Sequence, residues 1–187
     1  MKGSALVVAC VLALCGCASA APGGGTPPRL PASTVPARLV VLATKVVLKP
    51  NTTKKTMAAF TSVGSTSLVK EAGVWELRKA ERLVGTLELV TLDGRRVDTG
   101  RDADRLALRG QILTGDPTEL DVDGLPVWSA KDADRVVYVW YGRQVLGVLQ
   151  VRADSLDPEE TVTQLVTAMT EAAAWPGLPP EAFDEQS

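Results

Sequence analysis

The densest group of side chains that could bind a metal ion is a run of four acidic residues that ends at a glycine: Asp116, Glu119, Asp121, Asp123 and Gly124. Acidic oxygens at alternate positions before a glycine are typical of the start of a calcium-binding loop. The spacing then fails, because Ala130 stands where such a loop needs a bidentate glutamate. We therefore expect no metal here, and we interpret Glu119 and Asp121 as the solvated side of a strand that turns at Asp123-Gly124.

Composition excludes much enzymatic chemistry. The chain has no histidine, and its three cysteines lie at positions 10, 15 and 17. The body that follows therefore lacks an imidazole base, a thiolate nucleophile and the usual zinc ligands. Carboxylate pairs could act as acid and base, but no nucleophile motif or phosphate-binding glycine loop accompanies them. We expect a protein that is not an enzyme and has no cofactor, and a hydrolase working without histidine is the least favoured alternative.

A small aromatic group is the best candidate for ligand binding. Tyr138 and Trp140 share one side of a predicted strand, and Val162 and Met169 lie on the apolar stripe of the helix that follows. Such side chains can line an apolar pocket between a sheet and a helix. The alternative is a core position, since residues 137, 139 and 141 on the other face are also apolar or aromatic.

Two similar segments account for most of the strands that the sequence predicts. Residues 74–92 and 136–151 each have the pattern of two strands and a turn, the second turning at Gly142-Arg143. They align without gaps at an offset of 62 residues, which places Gly85 on Gly147. An internal duplication and a chance likeness of two hairpins both explain this match.

Each hairpin precedes a helix candidate, 102–113 and 157–175. The second has Asp157 as N-cap and Glu160 to close a capping box. We predict an α+β fold, in which an antiparallel sheet of hairpins carries helices mainly on one face, with two possible strand-strand-helix repeats.

The first seventeen residues have the order of an export signal. Lys2 is followed by an apolar run, 5–14, and then by Leu14-Cys15-Gly16-Cys17. This segment resembles bacterial lipoprotein signal peptides, whose lipobox ends in a small residue and a cysteine. The resemblance implies cleavage before Cys17 and attachment of lipid to that residue, which anchors the protein to the outer face of the cell membrane. The alternative is an ordinary secretory signal cut near 18–21, which would give a secreted protein.

Four regions follow from this organisation. Residues 1–16 form the removed signal, and 17–37 form a lipidated tether with five prolines and three consecutive glycines between 18 and 37. A single α+β domain is predicted over 38–175, and 176–187 form a Pro-rich flexible tail.

The leading functional hypothesis is a lipid-anchored, extracytoplasmic module that binds another envelope protein. The alternative is a carrier that holds an apolar or lipid molecule between sheet and helix, with Tyr138, Trp140, Val162 and Met169 as its lining. Nucleic acid is not expected as a partner, because the net charge is -2 and no basic run is present. The membrane is reached only through the lipid on Cys17.

Overall fold

Eight strands and one α-helix form the regular structure in the part of the chain that the computed structural model describes, residues 28–52, 69–92, 110, 112–142 and 145–171. A short 3-10 helix, Ala32–Thr34, precedes them. The elements are β1 (Arg38–Val41), β2 (Thr44–Pro50), β3 (Val69–Lys79), β4 (Arg82–Leu92), β5 (Thr118–Val122), β6 (Leu125–Asp132), β7 (Arg135–Gly142), β8 (Val145–Arg152) and α1 (Pro158–Glu171).

The predicted α+β class is wrong, because the sheet dominates the described fold. All eight strands form one antiparallel sheet in the order β1-β2-β3-β4-β8-β7-β6-β5, and α1 is the one α-helix that the structure describes over its full length. Of the weaker helix candidate, 102–113, only residues 110, 112 and 113 are described, and Gly110 and Ile112 are helical. Each hairpin leaves free N–H and C=O groups along its outer strands, and pairing with the next hairpin satisfies them. The local patterns predicted the hairpins but not their union in one sheet.

Two-residue turns connect several neighbouring strands. The turns at Leu42-Ala43, Ala80-Glu81 and Asp123-Gly124 have positive φ at both central residues, as type I′ turns require. The predicted hairpin over 74–92 and the predicted turn at Asp123-Gly124 are therefore confirmed. The second predicted hairpin also forms, but Gly142, a predicted turn residue, belongs to β7 and pairs with Val145.

The two hairpins that align in the sequence meet at the centre of the sheet. β4 and β8 pair so that Leu87 lies opposite Leu149, and the positions of these residues differ by the same 62. In an antiparallel pair of equivalent strands, the residue at the central position lies opposite its own equivalent. The register is therefore consistent with an internal duplication and also with a chance likeness of two hairpins.

The sheet curls around α1. A flat sheet of this size would be roughly 34 Å wide, whereas a helix of this length spans about 21 Å. Nevertheless, α1 contacts both outermost strands, β1 and β5, and also the central strand β8. The two edges of the sheet must therefore bend toward the same side, and the helix lies inside the bend.

Polar side chains of α1 attach it to the sheet edges. Asp157 caps the helix as predicted, since its Oδ1 accepts from the Glu160 N–H at 2.9 Å. The predicted capping box is wrong, because the Glu160 carboxylate instead accepts from the N–H of Leu42 beside β1, at 3.0 Å. Gln164 accepts from the N–H of Val40 at 3.1 Å. Tertiary contact with an open strand edge thus replaces a local contact within the helix.

Residues 28–37, which composition assigned to the tether, pack against the sheet. The Leu30 N–H donates to the Ala72 carbonyl at 2.8 Å, and the Ala72 N–H donates to the Pro28 carbonyl at 2.9 Å. Leu30 and Val35 are buried beneath the sheet. The packed body therefore extends to residue 28, ten positions before the predicted start of the domain.

Candidate functional site

The four predicted lining residues meet in one place. Tyr138 and Trp140 point from β7 toward α1, and Val162 and Met169 point from α1 toward the sheet. All four belong to the apolar cluster between sheet and helix, which we call the interior. Each is at most 5% exposed. The structure therefore brings the predicted residues together, in a closed interior.

The opposite side of β7 is covered as well. Val137, Val139 and Tyr141 are buried in a second cluster, on the outer face of the sheet. This confirms the prediction of a strand covered on both sides. The aromatic residues of β7 consequently offer no exposed platform for stacking.

A second tryptophan completes the interior. Trp75 on β3 is 1% exposed and lies in the same cluster. It is in register with Leu87 and, through β4 and β8, with Leu149 and Tyr138. Sequence reasoning missed Trp75. The offset of 62 residues aligns it with Val137, which lies on the outer face, and only the strand register makes Tyr138 its counterpart.

Two glycines make room for the two indole rings. A Cβ on Gly147 would lie 2.1 Å from Cε2 of Trp140, and one on Gly73 would lie 2.4 Å from Cη2 of Trp75. Both glycines pair with Leu89 of β4, from opposite sides. The two rings therefore flank Leu89 on neighbouring strands, roughly 10 Å apart at ~4.8 Å per strand spacing.

Neither ring has a partner for its polar atom. The Nε1 atoms of Trp75 and Trp140 are fully buried and have no hydrogen-bond partner among the described residues. Trp128, on the outer face, shows the usual arrangement: its Nε1 donates to Glu119 at 3.0 Å. Buried tryptophan N–H groups usually find an acceptor, and more than nine in ten buried polar groups are satisfied. The described part of the interior therefore contains two buried donors without acceptors.

Tyr138 adds a hydroxyl to these two donors. Burial, together with the carboxylates of Glu159 and Asp157 at the start of α1, raises its pKa to about 12. The hydroxyl therefore stays protonated at neutral pH and can donate. Among the described residues it makes no side-chain hydrogen bond.

The interior is electrically neutral. The single charged side chain that is buried in the described part of the chain is Glu88, and it faces outward, because its neighbours Val74 and Val148 belong to the outer cluster. On the interior side, Lys79 lies at the rim and donates to the carbonyl of Ser155 at 3.2 Å. No cation is buried beside the indoles among these residues.

The acidic run at 116–123 uses its carboxylates locally. Glu119 accepts from Trp128, Asp121 accepts from the N–H of Gly124 at 3.0 Å, and Asp123 accepts from the Thr167 hydroxyl. Leu120 is half-buried and Val122 buried, whereas Glu119 and Asp121 are exposed. This is the predicted strand with one solvated side. Within the described ranges, no group of three or more potential ligands is arranged to hold a metal.

The outer face carries a shallow surface pocket at the end of β4 and β8. Its volume is about 190 Å³. It is lined by Leu83, Gly85, Thr86, Arg135, Gln150 and Arg152. Arg152 binds Asp154 at 3.1 Å and holds the pKa of that carboxyl below its usual value, and Arg135 donates to Gln150. Both guanidinium groups are thus already engaged.

Comparison with known proteins gives no relative. No protein-family model, no curated protein and no solved structure matches this chain. None of the helices in the described ranges is long and apolar enough to cross a membrane. Cys17, the predicted lipidation site, lies outside the residues that the structure describes, so the interior remains the candidate site.

Proposed function

We propose that this protein is a lipid-anchored, extracytoplasmic carrier that holds an apolar molecule between its curled sheet and α1 and performs no chemistry on it. The observation that carries the proposal is the pair of buried, unpaired indole N–H groups of Trp75 and Trp140. An unsatisfied buried donor costs about 1–3 kcal/mol. A ligand that brings acceptor oxygens into the interior would remove that cost for both rings.

The polar groups of the interior suit binding better than catalysis. Two indoles and a tyrosine whose pKa is raised to about 12 are poor bases and poor nucleophiles at neutral pH. They can hold and orient a ligand through hydrogen bonds. The proposal accordingly assigns no catalytic residue.

Native mass spectrometry of the full-length protein, extracted from bacterial membranes, tests the carrier function. We expect an additional mass that disappears on denaturation and that extracts into organic solvent. A variant with Trp75→Phe and Trp140→Phe keeps two aromatic rings but loses both N–H groups, and it should retain much less of that mass. A protein with the same mass under native and denaturing conditions would overturn the proposal.

Attachment through Cys17 is a separate part of the proposal. It is supported by the lipobox-like order Leu14-Cys15-Gly16-Cys17. Cys17→Ala should move the protein from the membrane fraction to the aqueous fraction, whereas Cys15→Ala should leave it on the membrane. Continued membrane association of Cys17→Ala would exclude anchoring at this residue.

Binding of another envelope protein is the second candidate. Among the described residues, three large apolar side chains are exposed, Val40 at 55%, Leu42 at 65% and Leu83 at 48%. Leu42 and Leu83 belong to the β1–β2 and β3–β4 turn regions, which the antiparallel register places at the same end of the sheet. Residue 28 lies beside Ala72 at the other end of β3. The tether would therefore leave this apolar end free to meet a partner.

Crosslinking in intact cells distinguishes this candidate from the carrier. A partner bound at the apolar end would give a discrete adduct that is lost in a variant with Leu42→Ser and Leu83→Ser. The same substitutions lie away from the indoles and should leave the mass of an interior ligand unchanged.

A further inference from the structure

The chemistry of the interior restricts what the carrier can bind. We infer that its ligand is an electrically neutral molecule whose polar groups are hydrogen-bond acceptors, such as a fatty-acid ester, and not the free acid. This inference rests on the proposed function and adds the class of ligand.

The first step is that the two indoles of the interior can donate hydrogen bonds but cannot accept them. An indole N–H can donate but cannot accept, and both indoles lack an acceptor among the described residues. A ligand matched to these groups must therefore supply lone pairs. Ester carbonyl, amide carbonyl and ether oxygens have them and need no proton of their own.

The second step is the arrangement of the two donors. Trp75 covers Gly73 and Trp140 covers Gly147, and both glycines flank Leu89 in the sheet. The rings are thus separated by two strand spacings, roughly 10 Å. One small oxygen cannot reach both, so two separate acceptors satisfy the interior better than one.

The third step is charge. A carboxylate without a partner is costly to bury, and the described interior buries no cation beside the indoles. The carboxylates of Asp157 and Glu159 act on the Tyr138 hydroxyl and would repel a second anion there. The cation of Lys79 lies at the rim, where its ammonium group already donates to the Ser155 carbonyl. The balance favours a neutral head group over an ionised one.

Indole NMR resonances provide a direct test. The ¹⁵N-labelled full-length chain with Cys17→Ala would be titrated at pH 7 with dioctanoylglycerol, octanoate and octane, and each indole signal assigned from single Trp→Phe variants. We expect dioctanoylglycerol to shift the Trp75 and Trp140 N–H signals downfield while that of Trp128, which already donates to Glu119, stays in place. Its affinity should exceed that of octanoate by about tenfold or more.

The outcomes separate the two levels of the proposal. If octanoate binds most tightly and Lys79→Met removes that preference, the ligand is an acid held at the rim, and the neutral-ester inference is wrong while carrier function stands. If none of the three probes moves either signal, the interior does not bind such ligands and the proposed function fails with the inference. Equal affinity for octane and dioctanoylglycerol would likewise overturn the role of the acceptors.

Discussion

The two halves of the sheet, β1–β4 and β5–β8, share one topology but place their tryptophans differently. In the first half, Trp75 folds back along its own strand and covers Gly73. In the second half, Trp140 reaches across to β8 and covers Gly147. The residue that corresponds to Trp75 by register is Tyr138. The same alternation of apolar residues thus builds the same backbone, while the position of a glycine decides where a large ring can lie.

The outer edges of the two halves also differ. At β1, side chains of α1 accept from the free N–H groups of Val40 and Leu42. At β5, the exposed carboxylates of Glu119 and Asp121 lie along the edge. Charged side chains on an edge strand discourage pairing with another chain. One edge is therefore blocked by tertiary contacts and the other by its own sequence.

The largest expected loss of stability comes from removing the indole rings of Trp75 and Trp140. Trp140→Ala and Trp75→Ala should each lower the free energy of unfolding by about 3–5 kcal/mol, because both side chains are fully buried. Urea denaturation measures the change. Leu83→Ala, at an exposed position, should change it by less than about 0.5 kcal/mol. A small effect of one Trp→Ala change alone would show that the two halves are not equally packed.

The glycines beneath the rings test the placement of each ring. Gly147→Ala should cost about 1–3 kcal/mol, since its Cβ would lie 2.1 Å from the Trp140 ring. Adding Trp140→Phe should recover part of this loss, whereas adding Trp75→Phe should not. For Gly73→Ala the rescue should be reversed. Rescue by the wrong ring would contradict the difference between the halves.

The N-cap of α1 should contribute less to the free energy of unfolding than the two indole rings do. Asp157→Ala removes the oxygen that accepts from the Glu160 N–H and should lower the free energy of unfolding by about 1 kcal/mol. Asp157→Ser keeps an N-cap acceptor and should cost much less. Equal losses for both variants would argue against a capping role.

Substitution of Glu160 removes one of the contacts that block the edge of β1 and leaves the β5 edge unchanged. Glu160→Ala should cost about 0.5–1.5 kcal/mol and should speed hydrogen exchange at the Leu42 amide, which loses its acceptor. Glu160→Gln retains an acceptor oxygen and serves as the control. Exchange at β5 amides should not change, because that edge does not depend on Glu160. Unchanged exchange at Leu42 in Glu160→Ala would refute the contact.

The smallest effect at neutral pH concerns Tyr138. Its pKa is raised from 10.0 to about 12, so the unfolded chain releases this proton at lower pH than the folded protein does. Stability should therefore fall as the pH rises from about 10 toward 12, and Tyr138→Phe should reduce that fall. Ultraviolet titration of Tyr141→Phe, in which Tyr138 is the remaining one of the two tyrosines, should show this late ionisation. An ionisation of Tyr138 near 10 would contradict its burial.

Local signals predicted the hairpins and the helix because they depend on near neighbours. The alternation over 74–92, the Asp123-Gly124 turn and the Asp157 cap each act within a few residues, and each is present in the structure. The capping box failed for the opposite reason. Glu160 had a local partner available, but folding brought the open edge of β1 to it.

The candidate site was predictable only in part. The sequence pattern placed Tyr138 and Trp140 on one side of a strand, and Val162 and Met169 on the apolar stripe of a helix. In the structure all four belong to one cluster. Trp75 was missed because its contribution depends on the pairing of β4 with β8, which unites two hairpins far apart in the chain. The absence of acceptors for the indoles is likewise a property of the assembled interior.

The sequence by itself determined the strands, the turns, the helix and its apolar stripe, because these follow from backbone geometry and side-chain periodicity over short distances. It also determined the export-like start and the lack of histidine. Only the tertiary structure decided that the hairpins form one curled sheet, that α1 spans its two edges, and that two indole donors are buried without acceptors among the described residues. Those features depend on which strand edges meet, and residues distant in the chain control that choice.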